Sequence, residues 1–143
     1  MIAIEIENIK EFMSHLLVGT AFDTFHVETC EIVTFVCMTL DGKRHFDWYD
    51  TEERPEKTDG SVTWKELKPI AYQMVKGNKT PERMKLDFFH RKENGDVGSL
   101  RVEYSKDSLI VYTGYMQREF SMDKTAQQEW DEACRIFIQK ISC

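Results

Sequence analysis

The sequence lacks the cysteine spacings, the long apolar runs and the leader pattern that would point to a secreted or membrane protein. Its four cysteines, Cys30, Cys37, Cys134 and Cys143, include no C-x-x-C pair, the spacing typical of metal and redox sites. No apolar run approaches the roughly 20 residues of a membrane-spanning helix, and the opening residues MIAIEIENIKEF show no signal-peptide pattern. We therefore expect free thiols, a cytoplasmic location and no membrane contact.

Clusters of positive charge and the common catalytic motifs are missing as well. The formal net charge is -6, with 25 acidic and 19 basic residues, and no run contains four Lys or Arg residues. This balance argues against nucleic acid as the main partner, because such binding depends on cations that neutralise phosphates. The seven glycines are scattered, and neither G-x-S-x-G nor H-E-x-x-H occurs. We expect no cofactor and no metal, although a site assembled from distant residues stays open.

Two helix starts are marked by capping residues. Asn8 followed by Glu11, and Thr63 followed by Glu66, match a pattern in which side chains bond the free backbone N–H groups of the first turn. Apolar residues then recur every three or four positions, as they do again near the C-terminus, which predicts three helices. The apolar stripe of the last helix comprises Trp130, Ala133, Cys134, Phe137, Ile138 and Ile141.

The stretch CEIVTFVCMTLDGKRHFDWYD, residues 30–50, predicts a β-hairpin. Asp41-Gly42 is typical of a two-residue type I′ turn, because both turn positions need a positive φ. Such a turn would place Cys37 opposite Phe46. The resulting core face would comprise Val33, Phe35, Cys37, Phe46 and Trp48.

The second half of the chain predicts three more strands. A three-residue loop, 94–96, would pair Phe88 with Val102 on one face. Residues 50–63 are charged and predict a surface loop, long enough to be mobile or to serve as a lid. The predicted fold is a single α+β domain over residues 1–143, with one antiparallel sheet of five or six strands, three helices and the order β-α-β-β-α-β-β-β-α.

Four stretches together resemble a small family of uncharacterised proteins from Clostridia and related Firmicutes. They are IKEFMSHLL, FDTFHVETCEIVTF, LDGK and WKELKPIAYQMVKGNKTP, and the likeness covers most of the first 85 residues. The family has no assigned activity. The resemblance therefore implies a bacterial cytoplasmic protein and carries over no catalytic residue.

One pair of side chains is a candidate for chemistry. In the predicted hairpin, His45 and Asp47 lie two apart on one strand face, where a carboxylate would orient the imidazole as a base requires. Positions two apart on a strand are separated by about 7 Å, and no nucleophile is identifiable beside them. A solvated strand edge is the competing interpretation. The alternative function is therefore a small enzyme or ligand-binding protein, with its site near His45 and Asp47 under the 50–63 loop.

The leading interpretation is a protein-interaction or regulatory module without catalysis. Residues 32–40 are apolar on both faces of the predicted strand, whereas an antiparallel strand with one solvated face alternates. One helical layer covers one face, so something else must cover the other. We expect a second copy of the chain there, or an unidentified protein, with the 50–63 loop or a helix as the intramolecular alternative. The predicted surface comprises Ile32, Val36, Met38, Tyr49 and Phe89.

Overall fold

The structure, a computed structural model, describes residues 1–54, 60–77 and 79–142. Cys143 and the middle of the predicted 50–63 loop lie outside these residues. The strands of the described chain are β1 Ala3–Glu5, β2 His26–Val33, β3 Cys37–Leu40, β4 Arg83–Arg91, β5 Val97–Ser105 and β6 Ser108–Met116. The helices are α1 Ile9–Leu17, α2 Trp64–Val75 and α3 Thr125–Ser142, with a short 3-10 turn at Phe46–Trp48.

The strands form one six-stranded antiparallel sheet in the order β1-β6-β5-β4-β2-β3. The predicted α+β class is confirmed, and the element order differs from the predicted one only by the added 3-10 turn. Consecutive strands β4, β5 and β6 are neighbours, as short connections favour. The two shortest strands, β1 and β3, occupy the edges, where a short length limits unwanted pairing with other chains.

Both predicted capping residues start their helices. The side chain of Asn8 accepts a bond from the Glu11 N–H at 3.2 Å, and the Glu66 carboxylate accepts one from the Thr63 N–H at 2.9 Å. These bonds satisfy backbone donors that a helix start leaves without an intrahelical partner.

The core lies between the helices and one face of the sheet. Alternate residues of the strands point into it, as do one stripe of α3 and the buried faces of α1 and α2. Trp64 of α2 is fully buried, and its indole N–H donates to the Leu16 carbonyl at 2.7 Å. Phe22, in the connection after α1, stacks on Phe88 of β4 with ring centroids 5.4 Å apart. The largest fully buried side chains include Phe12, Phe22, Trp64, Phe88, Leu100, Leu109 and Ile138.

The predicted hairpin around Asp41-Gly42 is wrong. The chain reverses earlier, over residues 34–36, so β3 pairs with β2 and Cys37 lies opposite Val33 instead of Phe46. Gly42 does have a positive φ of 66°, but its main role is close approach, because a β-carbon there would lie 2.0 Å from the Val27 carbonyl oxygen. Residues 42–44 then bond to residues 60–62 instead of forming a strand beside β3.

This change of pairing removes several residues from the predicted core. Phe35 is 100% exposed and Trp48 is 81% exposed, because one lies in the β2–β3 turn and the other in the 3-10 turn. Cys37 is exposed at the sheet edge. A two-residue periodicity places side chains correctly only while the strand continues.

The β4–β5 hairpin has the predicted faces but a different register. Phe88 lies opposite Leu100, and Leu86 opposite Val102. The connection spans residues 92–96 instead of 94–96, closed by a 2.8 Å bond from the Lys92 N–H to the Asp96 carbonyl. Because the shift is an even number of residues, the same side chains still face the core.

Candidate interaction and ligand sites

The predicted interaction surface does not form as one patch. Ile32 is fully buried, and it lies opposite Met38 on the face that the helices cover. Val36 is 45% exposed in the β2–β3 turn. The prediction had the two faces of β2 the wrong way round, so Ile32 lies in the core, and Met38, opposite it on β3, is partly buried against the core.

The other two residues of that surface already contact neighbouring side chains of the same chain. Phe89 is buried, with the His26 ring stacked on it at 5.4 Å and the Arg91 guanidinium 5.3 Å from its ring centroid. Tyr49 is half-buried, and its hydroxyl accepts a bond from Arg44 at 3.1 Å.

The centre of the second sheet face is polar. Asp87 of β4 pairs with Arg101 of β5 at 2.6 Å and accepts a bond from the Thr29 hydroxyl at 3.1 Å. One row further along, Glu31, Lys85 and Glu103 lie side by side on three neighbouring strands. Opposite charges directly across a sheet stabilise it by about 0.2–1 kcal/mol per pair. This centre is suited to water, so it gives no reason of its own for a covering partner.

The predicted His45–Asp47 pair is replaced by another. His45 Nε2 lies 2.9 Å from Asp41 Oδ2, whereas Asp47 is part of the 3-10 turn and forms no hydrogen bond or salt bridge within the described chain. The bond from His45 is the main cause that lowers the pKa of Asp41 below its usual value. His45 and Asp41 are both largely exposed, so they form a surface ion pair and not an enclosed acid–base site.

A groove of about 390 Å³ nevertheless opens beside His45. It is lined by Lys43, Arg44, His45, Trp48, Tyr49 and Val62. Arg44 fixes one wall, since its guanidinium donates to the Tyr49 hydroxyl and, at 3.1 and 3.0 Å, to the two Glu66 oxygens. Trp48 packs edge-to-face on Tyr49 with ring centroids 5.2 Å apart. Arg44 thereby links the exposed indole to the first turn of α2.

A second arrangement, at the far end of β6, was not predicted from the sequence. The carboxylate of Asp96 accepts bonds from the Tyr115 hydroxyl at 2.5 Å, the Arg118 N–H at 2.8 Å and the Asn94 amide at 3.3 Å. The Tyr115 bond is the main cause that lowers the pKa of Asp96, and the same bond raises the pKa of Tyr115 to about 12. This cluster ties the β4–β5 connection to the chain that leaves β6.

The chain between β6 and α3 is closed by further bonds. The Gln117 side chain donates to the Asp123 carbonyl at 3.1 Å, and the Asp123 carboxylate accepts from the Thr125 N–H at 2.9 Å, where α3 begins. Such bonds hold the two ends of a surface loop together.

Three large apolar side chains project from this closed loop and the strand end before it. Met116 is 70% exposed, Phe120 93% and Met122 84%. We call these three residues the 116–122 surface. Their only sequence signal is that three apolar residues fall between a strand and a helix without fitting the period of either.

Metal and membrane sites were sought among the described residues. No group of three or more His, Cys, Asp or Glu side chains there has the arrangement to hold a metal ion. None of the helices in that part of the chain is long and apolar enough to cross a membrane.

Comparison with known families gives a match over most of the chain. A family model matches residues 15–99 and 96–143. The chain belongs to DUF5721, a family of unknown function. The expected membership of an uncharacterised family is thus confirmed, and the match extends beyond the first 85 residues. Comparisons with curated proteins and with solved structures gave no match.

Proposed function

We propose that this DUF5721 chain is a protein-interaction module without catalysis, and that it binds a second copy of itself through the 116–122 surface. The observation that carries the proposal is the exposure of Met116, Phe120 and Met122, at 70%, 93% and 84%, on a loop closed by its own hydrogen bonds.

The energetics favour contact with another chain. Removing a large apolar side chain from water contributes about 1.5–3 kcal/mol, so three such side chains supply a substantial share of a modest affinity. The bonds of Asp96 to Arg118 and of Gln117 to Asp123 already order the loop. A loop ordered in advance loses less conformational freedom on binding. Methionine side chains also adapt their shape to a partner.

A second copy is the occupant we favour because an exposed apolar surface can cover itself. In a two-fold dimer the same surface of each copy meets its counterpart, so Met116, Phe120 and Met122 of one copy would pack on those of the other. The groove on the sheet face at Gly114 is lined by charged side chains, among them Asp87, Arg101 and Glu103, so it is not suited to these apolar residues.

Sedimentation velocity with circular dichroism tests this proposal. We expect a dimer at tens of micromolar, and a folded monomer for the double variant Phe120→Ser/Met122→Ser. Phe35→Ser is the matched control, because Phe35 is equally exposed but lies in the β2–β3 turn. It should leave the dimer intact.

Two results would overturn the proposal. One is a wild type that is monomeric throughout the micromolar range. The other is a dimer that survives the double variant but is broken by Val36→Glu, which would place the interface at the β2–β3 turn. A partner other than a second copy is indicated only if the wild type is monomeric.

We also infer a cytoplasmic location. The resemblance seen in the sequence implies a protein of Clostridia or related Firmicutes. The buried free thiols of Cys30 and Cys134 support a reducing compartment. Fractionation of a native host, with immunodetection of the chain, checks this location, and recovery in the secreted fraction would contradict it.

A further inference from the structure

Trp48 differs from the other two tryptophans of the chain. Trp64 is fully buried and Trp130 is 8% exposed, whereas Trp48 is 81% exposed at the mouth of the groove beside His45. We propose that this groove binds a small planar anion of the mononucleotide class, with its ring stacked on Trp48 and its charge held by Lys43.

The aromatic wall is ordered before any ligand arrives. Tyr49 is bonded to Arg44, Arg44 is paired with Glu66 through two bonds, and Trp48 packs against Tyr49 at 5.2 Å. This sequence of contacts holds the indole while leaving most of it in solvent. Stacking of a base on an aromatic side chain favours binding whatever the identity of the base, and an ordered platform loses less conformational freedom when the base binds.

The charges around the groove select an anion. Three cationic or protonatable side chains, Lys43, Arg44 and His45, line it together with the aromatic residues, and no carboxylate of the described residues lines it. Glu66 neutralises Arg44 and Asp41 pairs with His45. Lys43 forms no salt bridge within residues 1–54, 60–77 and 79–142, so its ammonium remains available to a ligand. The Lys43 ammonium would repel a cationic ligand stacked on Trp48 and attract an anionic one.

The size of the groove indicates a small molecule. Its volume of about 390 Å³ lies at the lower end of the roughly 300–1,000 Å³ typical of small-molecule sites. A nucleic-acid strand would need a longer track of cations, and the chain as a whole is acidic, with a net charge of -6. The ligand is therefore a single aromatic anion. The groove shares no residue with the 116–122 surface, so either proposal can fail without the other.

Tryptophan fluorescence gives a direct test, with AMP as the probe. AMP stacked on Trp48 should quench part of the emission saturably, while the buried Trp64 and Trp130 provide a constant background. Adenosine, which lacks the charge, and inorganic phosphate, which lacks the ring, should each bind at least about tenfold more weakly, the factor that corresponds to one lost contact of about 1.4 kcal/mol.

Two variants locate the binding site. Lys43→Gln should weaken AMP binding about tenfold, whereas Lys124→Gln, at an exposed position near the start of α3, should leave it unchanged. Trp48→Ala should abolish the AMP-dependent heat in calorimetry.

Several outcomes would overturn the inference. They are the absence of saturable quenching by millimolar AMP, equal affinity of wild type and Lys43→Gln, and tighter binding of tetramethylammonium than of AMP. Binding of a single-stranded oligonucleotide but not of AMP would also overturn it, because it would indicate a polymer site.

Discussion

The β4–β5–β6 meander and the segment from residue 34 to residue 49 differ in how completely they bury their apolar side chains. In the meander, every second residue faces the helices, and these residues are almost completely buried: Met84, Leu86, Phe88, Leu100, Val102, Leu109 and Val111. In the 34–49 segment, Met38 and Leu40 of β3 are partly buried against the core. Phe35 and Trp48, which lie in the turns before and after β3, project into solvent. Hydrophobicity alone therefore does not bury a residue in this core. A hydrophobic residue of the sheet is buried only where its strand continues under the helices.

The same comparison distinguishes residues that stabilise the fold from residues that stay exposed to solvent. The meander and α3 concentrate the contacts that hold the fold together, because their apolar residues meet inside one chain. The exposed aromatic residues of the 34–49 segment, Phe35 and Trp48, bury little apolar area, so they should contribute little to folding. Substitutions in the two regions should therefore have different consequences.

The largest expected difference is between two tryptophans. Trp130 of α3 is buried against β5, donates its indole N–H to the Ser99 carbonyl at 3.2 Å and lies under the Lys92 ammonium. Trp130→Ala should lower the free energy of unfolding by about 3–5 kcal/mol. Trp48→Ala should lower it by less than about 0.5 kcal/mol. Urea denaturation followed by circular dichroism measures both, and equal losses would contradict the division between the regions.

The sequence predicts the regular part of the fold well, for a physical reason. Asn8 and Thr63 mark helix starts through bonds within a few residues, and the stripe of α3 is visible because one face of a helix repeats every 3.6 residues. Trp130, Cys134, Ile138 and Ile141 are buried as that stripe requires. Such signals are local, so they do not depend on knowing which strand lies beside which.

The sequence fails where pairing is decided at a distance. Asp41-Gly42 resembles a hairpin turn, but Gly42 is needed because a β-carbon at this position would lie only 2.0 Å from the Val27 carbonyl oxygen. The actual turn between β5 and β6 is formed by Lys106 and Asp107, with φ of 39° and 66°, although neither is glycine or asparagine. Of the two candidate residues His45 and Asp47, His45 does line a groove. Its observed partner, Asp41, was not predicted, because the sequence pattern had assigned Asp41 to a hairpin turn.

A glycine substitution tests how tightly the meander is packed. A β-carbon on Gly98 of β5 would lie 2.5 Å from Cε2 of Trp130. Gly98→Ala should therefore destabilise the protein by about 1–3 kcal/mol, as overpacking of a core typically does. Gly60→Ala is the matched control, since no atom of the described chain lies within 4 Å of its would-be β-carbon. Indistinguishable melting temperatures would show that Trp130 moves aside freely.

The Asp96 cluster should make stability depend on pH. The Tyr115 hydroxyl holds the pKa of Asp96 below its usual value, so the carboxylate stabilises the fold above its unfolded pKa of about 3.9. That contribution is lost as the pH falls through the folded pKa. Tyr115, with its pKa raised to about 12, gives a contribution that is complete below about pH 10 and is lost as the pH rises through 12.

The variant Tyr115→Phe isolates this effect. The difference in free energy of unfolding between wild type and Tyr115→Phe should be largest near neutral pH and should shrink in acid and in strong alkali. Tyr104→Phe is the control, because the Tyr104 hydroxyl forms no hydrogen bond with the residues that the structure describes. A wild-type advantage over Tyr115→Phe that does not vary with pH would contradict the assignment.

The smallest effect on stability is expected at Cys37, and its chemistry should distinguish it from the core thiols. Burial raises the pKa of Cys30 and of Cys134 to about 12, from an ordinary value near 9, so their thiolate fraction at neutral pH is about a thousandfold lower than that of an exposed thiol. Cys37 is exposed on the edge strand β3. In the native protein, Cys37 should react with a disulfide reagent at once, while Cys30 and Cys134 react at the rate of unfolding.

Counting the reacted thiols checks this expectation. Cys37→Ser should change the free energy of unfolding by less than about 0.5 kcal/mol and remove one thiol from the fast phase. In denaturant without reductant, all four thiols of the wild type should react with the reagent. A count of two would reveal a disulfide bridge and contradict the expectation of free thiols, and slow reaction of Cys37 would mean that another chain covers the β3 edge. That second result would place the partner-binding surface at the β3 edge of the sheet instead of at the 116–122 surface.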